Sequence, residues 1–550
     1  MNFVTPPPRT PQRPLYAQHS LSSNTKNAIE FIKTELLKLN VVDKVIRQEG
    51  DLAGWHALAA LMSKPYFSRR WVIQELALAR EATLQCGEQT ISWEEFATAV
   101  AIFEKHSPLV NDLAKKKEEW GNQADYFGDI ETMGATRLVQ TTNILYRKSD
   151  RGEITNRLLD LESLVSILPT FESSIKHDTV YAVLALAKDT WHSSSAAKAV
   201  SANTDNGSSR ASAQQPGAQL DQGRTREIIE EAARRFKAKK EARESSKFPV
   251  NYEADFVDVC KEFINFAVQK SKALDIICRP WAPAEDDNLP SWIPTLEGIA
   301  NQNTVKPYNA NKRTGILGFK FGKPESHDAG SLYTDGFILN TVATIGDASQ
   351  SGMIPKEWFT LADWPQRKWP PRESFWRTLV GDRGPDGGNT PIYFRRSFQE
   401  IVDKSVRNGD INTTWQIHHG GSSLTKEYLK RCQAVIWGRR LMKTEANDLL
   451  GLAPARAEKG DLICIIYGLS VPVALRRVTD DNPRTQPKLN SRTQYQLLGE
   501  CYVHGMMDGE AMDLLKDHQA RLRDKQDEKS GENRGEEEAP RMTKVKFEII

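Results

Sequence analysis

Apolar residues recur at helical spacing through "KNAIEFIKTELLKLNVVDKVIR", residues 26–47. They recur again in "GWHALAALMSKPYFSRRW", where a helix runs to about Ser63 and breaks before Pro65. The pattern predicts another helix over residues 68–80, "SRRWVIQELALAR". At about 100° per residue, Trp71, Val72, Leu78 and Ala79 share one apolar arc, with Glu75 in its middle. A carboxylate on a face destined for burial is costly unless it is paired, so Glu75 needs an explanation. "ATLQCG" reads as a short strand. In "SWEEFATAVAIFEKH", Ser92 is a good N-cap and Glu95, three residues on, completes a capping box. The order helix, helix, strand, helix suits an α/β layer. Residues 111–191 read as a helical region.

Further along, the pattern weakens and then changes period. Residues 192–223 are small and polar with no aromatic, which predicts a disordered linker, and residues 224–247 form a densely charged, solvated helix. Residues 248–430 mix helical and extended signals. "YEADFVDVCKEFINFAVQK" is an amphipathic helix, prolines at 280, 283, 290 and 294 impose an extended chain, and strands are expected around 331–345. Residues 431–512 are β-rich. "KGDLICIIYG", "VPVALRRV" and "YQLLGECYVHG" read as three strands of a small sheet, entered by a turn at Gly460-Asp461. Residues 513–550 are a charged tail, helical and then disordered, ending in an alternating strand, "TKVKFEII". Residues 1–25, rich in Pro, Ser and Asn, are expected to be disordered.

Composition narrows the function classes. The 550 residues call for two or three domains. Lys+Arg is 74 against Asp+Glu 72, a net charge of +2, so no basic excess points to nucleic acid. Six cysteines without C-x-x-C spacing make neither a disulfide framework nor a zinc finger. The most apolar run, "LICIIYGLSVPVAL", is too short to span a bilayer and is interrupted by Gly468 and Pro472. A cytoplasmic protein without a membrane span is expected. There is no phosphate-binding G-x-x-x-x-G-K-[ST] loop and no G-x-S-x-G elbow. His418-His419 and the group His504, Asp508 and Glu510 read as loop and turn residues rather than metal ligands. Cys86 reads as a small buried residue.

"PYFSRRWVIQELALAREATLQCGEQTISWEEFATAV" closely resembles the latter part of a fungal heterokaryon incompatibility (HET) domain, whose R-x-W-x-x-Q-E-x-x-x-A stretch precedes Cys-Gly and Ile-Ser-Trp. Four further stretches resemble segments C-terminal to that domain in many family members: "HDTVYAVLALAKD", "VNYEADFVDVCKEFINFAV" with "LPSWIP", "GRRLMKTEANDLLGLAPARAEKGDLICIIYGLSVPVALR" and "YQLLGECYVHGMMDGEA". The L-S-Y-x-W-G and W-I-D-x-x-C-I-N-Q stretches of a full HET domain have no match here, so the chain is read as truncated or divergent, entering the domain part-way. Asn447 stands where the family usually has Gly.

HET domains resemble TIR domains, some of which hydrolyse NAD with a glutamate in an S-x-W-x-x-x-E pattern. Ser68, Trp71 and Glu75 match that outline. The resemblance implies a candidate catalytic role for Glu75, stabilising a ribosyl oxocarbenium ion as carboxylates do in glycosidic cleavage. Trp71 would then wall the pocket, and Arg70 or Arg69 would meet phosphate. The bland alternative gives Glu75 a structural pairing, Trp71 a core position and the arginines ordinary loop positions, and that alternative is preferred. The fold class expected is α/β, a partial TIR-like HET segment over 26–110, with a helical middle region and a β-rich C-terminal region. The function expected is a non-enzymatic interaction or signalling module in fungal nonself recognition and programmed cell death. Its partners would be other proteins of that system, self-assembly is allowed, and no cofactor is required. The competing readings are an NAD-cleaving effector, with NAD as substrate, and a degenerate paralogue.

Overall fold

A computed structural model describes residues 15–19, 23–116, 130–190, 248–295, 308–478, 493–528 and 544–550, with short omissions inside several of these stretches. The expected linker and charged helix of 192–247, and the expected disorder in the tail before residue 544, lie outside the described residues. The chain divides into two compact units, Met1–Tyr252 and Glu253–Ile550.

The first unit opens with strand β1 (Leu15–His19) and helix α1 (Ser23–Phe31), so the expectation of disorder through residue 25 fails at Leu15–His19 and from Ser23. The reason is non-local. β1 pairs in parallel with β2 (Ala82–Cys86), which lies far beyond it in the chain. Between them come α2 (Leu52–Met62) and α3 (Arg70–Leu78). β2 turns back into β3 (Gln89–Ser92), giving a mixed sheet of order β1-β2-β3. α2 buries Leu52, Trp55, Leu58, Leu61 and Met62, and Trp55 meets Phe31 edge-on at 5.3 Å.

Helix α4 (Trp93–Lys116) starts at the expected capping box. The Ser92 backbone N–H and hydroxyl donate to Glu95 at 3.0 and 2.8 Å, and the Glu95 N–H donates back to Ser92 Oγ at 3.1 Å. Those bonds, the Ser92 backbone bond foremost, hold the Glu95 carboxyl below the usual range. A depressed acid contributes stability above its unfolded range and loses it as pH falls through the folded value. Ser92→Ala is therefore expected to cost about 1 kcal/mol at neutral pH. Urea unfolding is expected to show that difference shrinking as pH falls below the usual carboxylate range and through the lowered range of Glu95.

The 111–191 region is not wholly helical. After α5 (Gly134–Leu145), strands β4 (Tyr146–Lys148) and β5 (Ile154–Arg157) form a hairpin before α6 (Leu161–Ile167) and α7 (Asp178–Tyr181). The hairpin turn uses Gly152 at φ 72°, and Gly152 N–H donates to Ser149 O at 2.8 Å.

The second unit begins with the expected amphipathic helix, α8 (Phe256–Ser271), capped by Asp255. Its centre is a β-barrel. Strand β6 (Leu332–Ala348) is 17 residues long and pairs along both edges. A helical layer follows it, including α9 (Glu373–Leu379), α10 (Phe394–Ser405) and α11 (Ser423–Ile436). Then come β7 (Arg439–Thr444), β8 (Leu450–Pro454), β9 (Leu462–Ile466), β10 (Val473–Val478), β11 (Gln494–Glu500) and β12 (Tyr502–Val503). After α12 (Glu510–Glu528) the chain ends in β13 (Lys544–Ile549).

β6 pairs with β7 and with β9; β9 pairs with β10, β10 with β11, β12 with β8, and β8 with β7. Since β11 and β12 are one strand line interrupted at Cys501, the ring closes, which removes free edges. β13 lies between the starts of β6 and β11, antiparallel to one and parallel to the other. The β-rich region is therefore not the small three-stranded sheet expected within 431–512. The ring needs β6 from before it, and β13 from after it seals the seam.

Strand residues alternate between two cores. Leu441, Leu452 and Tyr502 pack with the helical layer of Trp358, Phe375, Phe398 and Tyr428. Met442, Ala453 and Val503 pack with Phe337, Ile463, Ile465 and Leu515. "LICII" is buried at every position, on both faces of the strand, which matches its unbroken hydrophobic run. Gly460 turns into β9 at φ 94°, as expected, and Asp461 receives the Arg476 fork at 2.9 Å on both oxygens. Asn447, at φ 65°, sits in the left-handed region that a glycine would occupy freely and that Asn tolerates. No helix among the described residues is long and apolar enough to cross a membrane.

Candidate functional site

The residues singled out in "SRRWVIQELALAR" lie on α3 or at its two ends, but they face different ways. The buried face is Arg70, Val72, Ile73, Leu76 and Ala77, while Trp71 and Leu78 are half-buried and Glu75 is exposed. The expected arc, centred on Glu75, is thus turned almost to the opposite side. Four aliphatic residues at i, i+1, i+4 and i+5 set the face, and they outweigh Trp71 and Leu78.

The buried charge on this helix is Arg70, only 2% exposed. Its Nη2 donates to Leu168 O at 2.7 Å, Nη1 to Thr179 O at 2.8 Å and Nε to Phe171 O at 3.3 Å. Burial pulls the guanidinium down to about 10, with Asp178 acting against it. At neutral pH it remains charged. The planar fork can serve carbonyls from three directions at once, which an ammonium cannot. Arg70 is thus neither a phosphate donor facing solvent nor an ordinary loop residue.

The neighbouring backbone follows the same route. Arg70 N–H donates to Glu172 O at 2.9 Å, and Glu172 N–H donates to Ser68 O at 2.8 Å. α5 approaches this turn closely. A methyl on Gly134 would lie 2.6 Å from Ser68 Oγ and 3.1 Å from the Phe67 backbone, so only glycine fits.

Trp71 and Asp178 extend the junction. Trp71 Nε1 donates to Asp178 Oδ2 at 2.9 Å, and the Tyr252 hydroxyl donates to Asp178 Oδ1 at 2.8 Å. Asp178 is 4% exposed, so its carboxylate meets these donors inside the protein. Burial, and then the bond to Asp178, raise the Tyr252 phenol above its ordinary range. Around them His177, Tyr181 and Tyr252 form a ring cluster with centroids 5.1 to 5.9 Å apart.

Asp178 and Tyr252 were absent from the expected site. Each sits in a stretch noted for resemblance, "HDTVYAVLALAKD" and "VNYEADF", but their distance in sequence from Trp71 hid the pairing. Glu75 stands apart from all of this. Partial desolvation raises its carboxyl above the usual range, opposed by Arg69. The Tyr66 phenol is pushed up to about 12, by burial first and then by Glu75. Cys86 is buried, and burial raises its thiol, as a structural residue requires. Among the described residues no group of three His, Cys, Asp or Glu is placed to hold a metal ion. Asp508 instead accepts from Arg383 Nη2, at 2.5 and 2.7 Å to its two oxygens.

The architecture is that of a mixed α/β protein with a closed β-barrel in its second unit. Residues 399–520 match the family described as the Het-6 beta-barrel domain. The likeness to heterokaryon incompatibility proteins therefore covers part of the chain. A 79-residue stretch is 33% identical to heterokaryon incompatibility protein 6, OR allele, of Neurospora crassa, covering 14% of this chain and 10% of that protein. No solved structure matches. The family match takes in β7 to β12, whereas β6 and β13, which complete and seal the ring, lie outside it.

Proposed function

We propose that this protein is a non-enzymatic interaction or signalling module of the heterokaryon incompatibility type, acting in nonself recognition and the cell death triggered by incompatible fusion. The observation that carries this reading is the use made of Arg70 and Trp71. Both spend their donors inside the protein, on the 168–179 segment, so the stretch that resembles the HET domain acts as a structural bracket. Such a bracket fixes a scaffold for partner recognition. The partners would be other proteins of the incompatibility system, in the cytoplasm.

The second reading, a TIR-like effector that cleaves NAD, is favoured by Glu75 itself. It is an exposed carboxylate with a raised pKa beside Tyr66 and Arg69. It would stabilise cationic ribose, and no further cofactor would be needed. TIR-type cleavage generally implies assembly, so the test uses concentrated protein. Purified wild type and Glu75→Gln are incubated with NAD and the remaining NAD is measured. The proposal expects no consumption by either protein. Consumption by the wild type that is lost in a folded Glu75→Gln protein would establish the enzyme instead. A degenerate paralogue would also leave NAD untouched, and would fail to trigger incompatibility when expressed in a compatible fusion.

A further inference from the structure

We infer that the Arg431 guanidinium, held beside Tyr308 and Arg383 in the second unit, binds a small oxyanion of the phosphate type. Three guanidinium groups, those of Arg383, Arg431 and Arg439, act on the Tyr308 phenol. Arg383 lies over the Tyr308 ring at 5.1 Å and pairs with both oxygens of Asp508. Arg439 pairs with Glu500. Asp382, the acid that also acts on Tyr308, is taken by Arg377 at 2.5 Å.

Arg431 differs from these. Its Nε donates to Val380 O and to Arg383 O, both at 3.2 Å. Among the described residues no carboxylate forms an ion pair with it, although it is half-buried. Desolvation lowers its pKa, and the like charge of Arg383 lowers it further. Charges out of water normally have a counter-charge, and this one has its terminal fork to spare.

The local geometry keeps the fork in place. Tyr308 donates its hydroxyl to Gly381 O at 2.5 Å. Gly381 is at φ 62°, and a methyl on it would lie 2.4 Å from Tyr308 Oη and 3.8 Å from Arg431 Nη2. Any other residue there would displace the Tyr308 hydroxyl, while the contact to Arg431 would be an ordinary one. The Nε bonds fix the plane of Arg431 and leave its two terminal nitrogens for a bidentate acceptor, the geometry that phosphate and carboxylate satisfy. Arg383 adds positive potential from one side.

The test is calorimetric titration of the full chain with inorganic phosphate, against sodium chloride at equal ionic strength and against acetate. Wild type is expected to give a saturable phosphate isotherm that chloride does not mimic. Arg431→Gln is expected to raise Kd by about tenfold or more, a loss of one charge-assisted bond. Arg431→Lys keeps the charge and loses the fork, and is expected to fall between the two. Lys516→Gln removes an exposed charge elsewhere and should leave the isotherm unchanged. An equal isotherm with acetate would make the site a carboxylate one and overturn the phosphate assignment. Should Arg431→Gln fail to fold, the wild-type titration still decides: no saturable binding, or equal effects of phosphate and chloride, overturns the proposal.

Discussion

Replacing Phe547 by Ala is expected to destabilise the second unit by about 3–5 kcal/mol, the usual cost of emptying a fully buried aromatic site. Phe547 is 0% exposed and meets Tyr495 edge-on at 5.2 Å. The effect reaches beyond one side chain because β13 fills the seam between β6 and β11. Its six residues, Lys544 to Ile549, pair with Leu332 to Phe337 on β6, while Glu548 and Ile549 pair with Gln494 and Tyr495 on β11. The "LPSWIP" stretch secures the end. Ser291 N–H donates to Ile550 O at 3.0 Å, and Ser291 Oγ accepts from Leu497 N–H at 2.9 Å. Deleting 544–550 would strip the start of β6 of its partner and leave an open edge. That deletion is expected to give aggregation on expression, or a protein with a lower urea midpoint than Phe547→Ala. A deletion variant as stable as wild type would mean that the ring stands without its last strand.

Arg70→Met is the second large effect expected. The methionine fills most of the space, so the loss isolates the three bonds to Leu168, Phe171 and Thr179 carbonyls. The Phe171 and Thr179 oxygens would lose the Arg70 donor, Leu168 O would keep only the Phe171 N–H at 3.1 Å, and Asp178 would lose the positive charge that faces it. Removing one member of a buried charged arrangement costs about 3–5 kcal/mol. Arg70→Lys is expected to recover little, because one ammonium cannot reach three carbonyls in different directions. Denaturant unfolding of both variants beside the wild type checks this.

Local signals were the ones legible in the sequence. The Ser92–Glu95 capping box, the Gly460 turn, β2 and α8 each depend on a few neighbouring residues, and each stands as expected. The long strand around 331–345 and the terminal strand were also visible from alternation. What joins them into a barrel was not, because closure is decided by pairings such as Phe337 with Lys544, far apart in the chain. The same holds for β1, whose partner is β2, and for Arg70, whose acceptors lie about a hundred residues away. The β4–β5 hairpin was missed because its strands are too short to show a period.

Glu75 shows how a periodicity argument fails. The arc of Trp71, Val72, Leu78 and Ala79 shares only Val72 with the buried face and leaves out Ile73, Leu76 and Ala77, while Ala79 is already extended at the helix end. The buried charge was present in the same thirteen residues, five positions earlier. An arginine at the N-terminal end of a helix gives no sequence signal that its fork will be consumed by carbonyls of a distant loop.

That Arg70 and not Glu75 is the buried charge of α3 is decided by denaturant unfolding of Arg70→Met beside Glu75→Gln in otherwise identical protein. Arg70→Met is expected to lose about 3–5 kcal/mol and Glu75→Gln, at an exposed carboxylate, to change by no more than about 0.5 kcal/mol. A large loss at Glu75 with little at Arg70 would contradict this, and would return the carboxylate to the centre of the buried face.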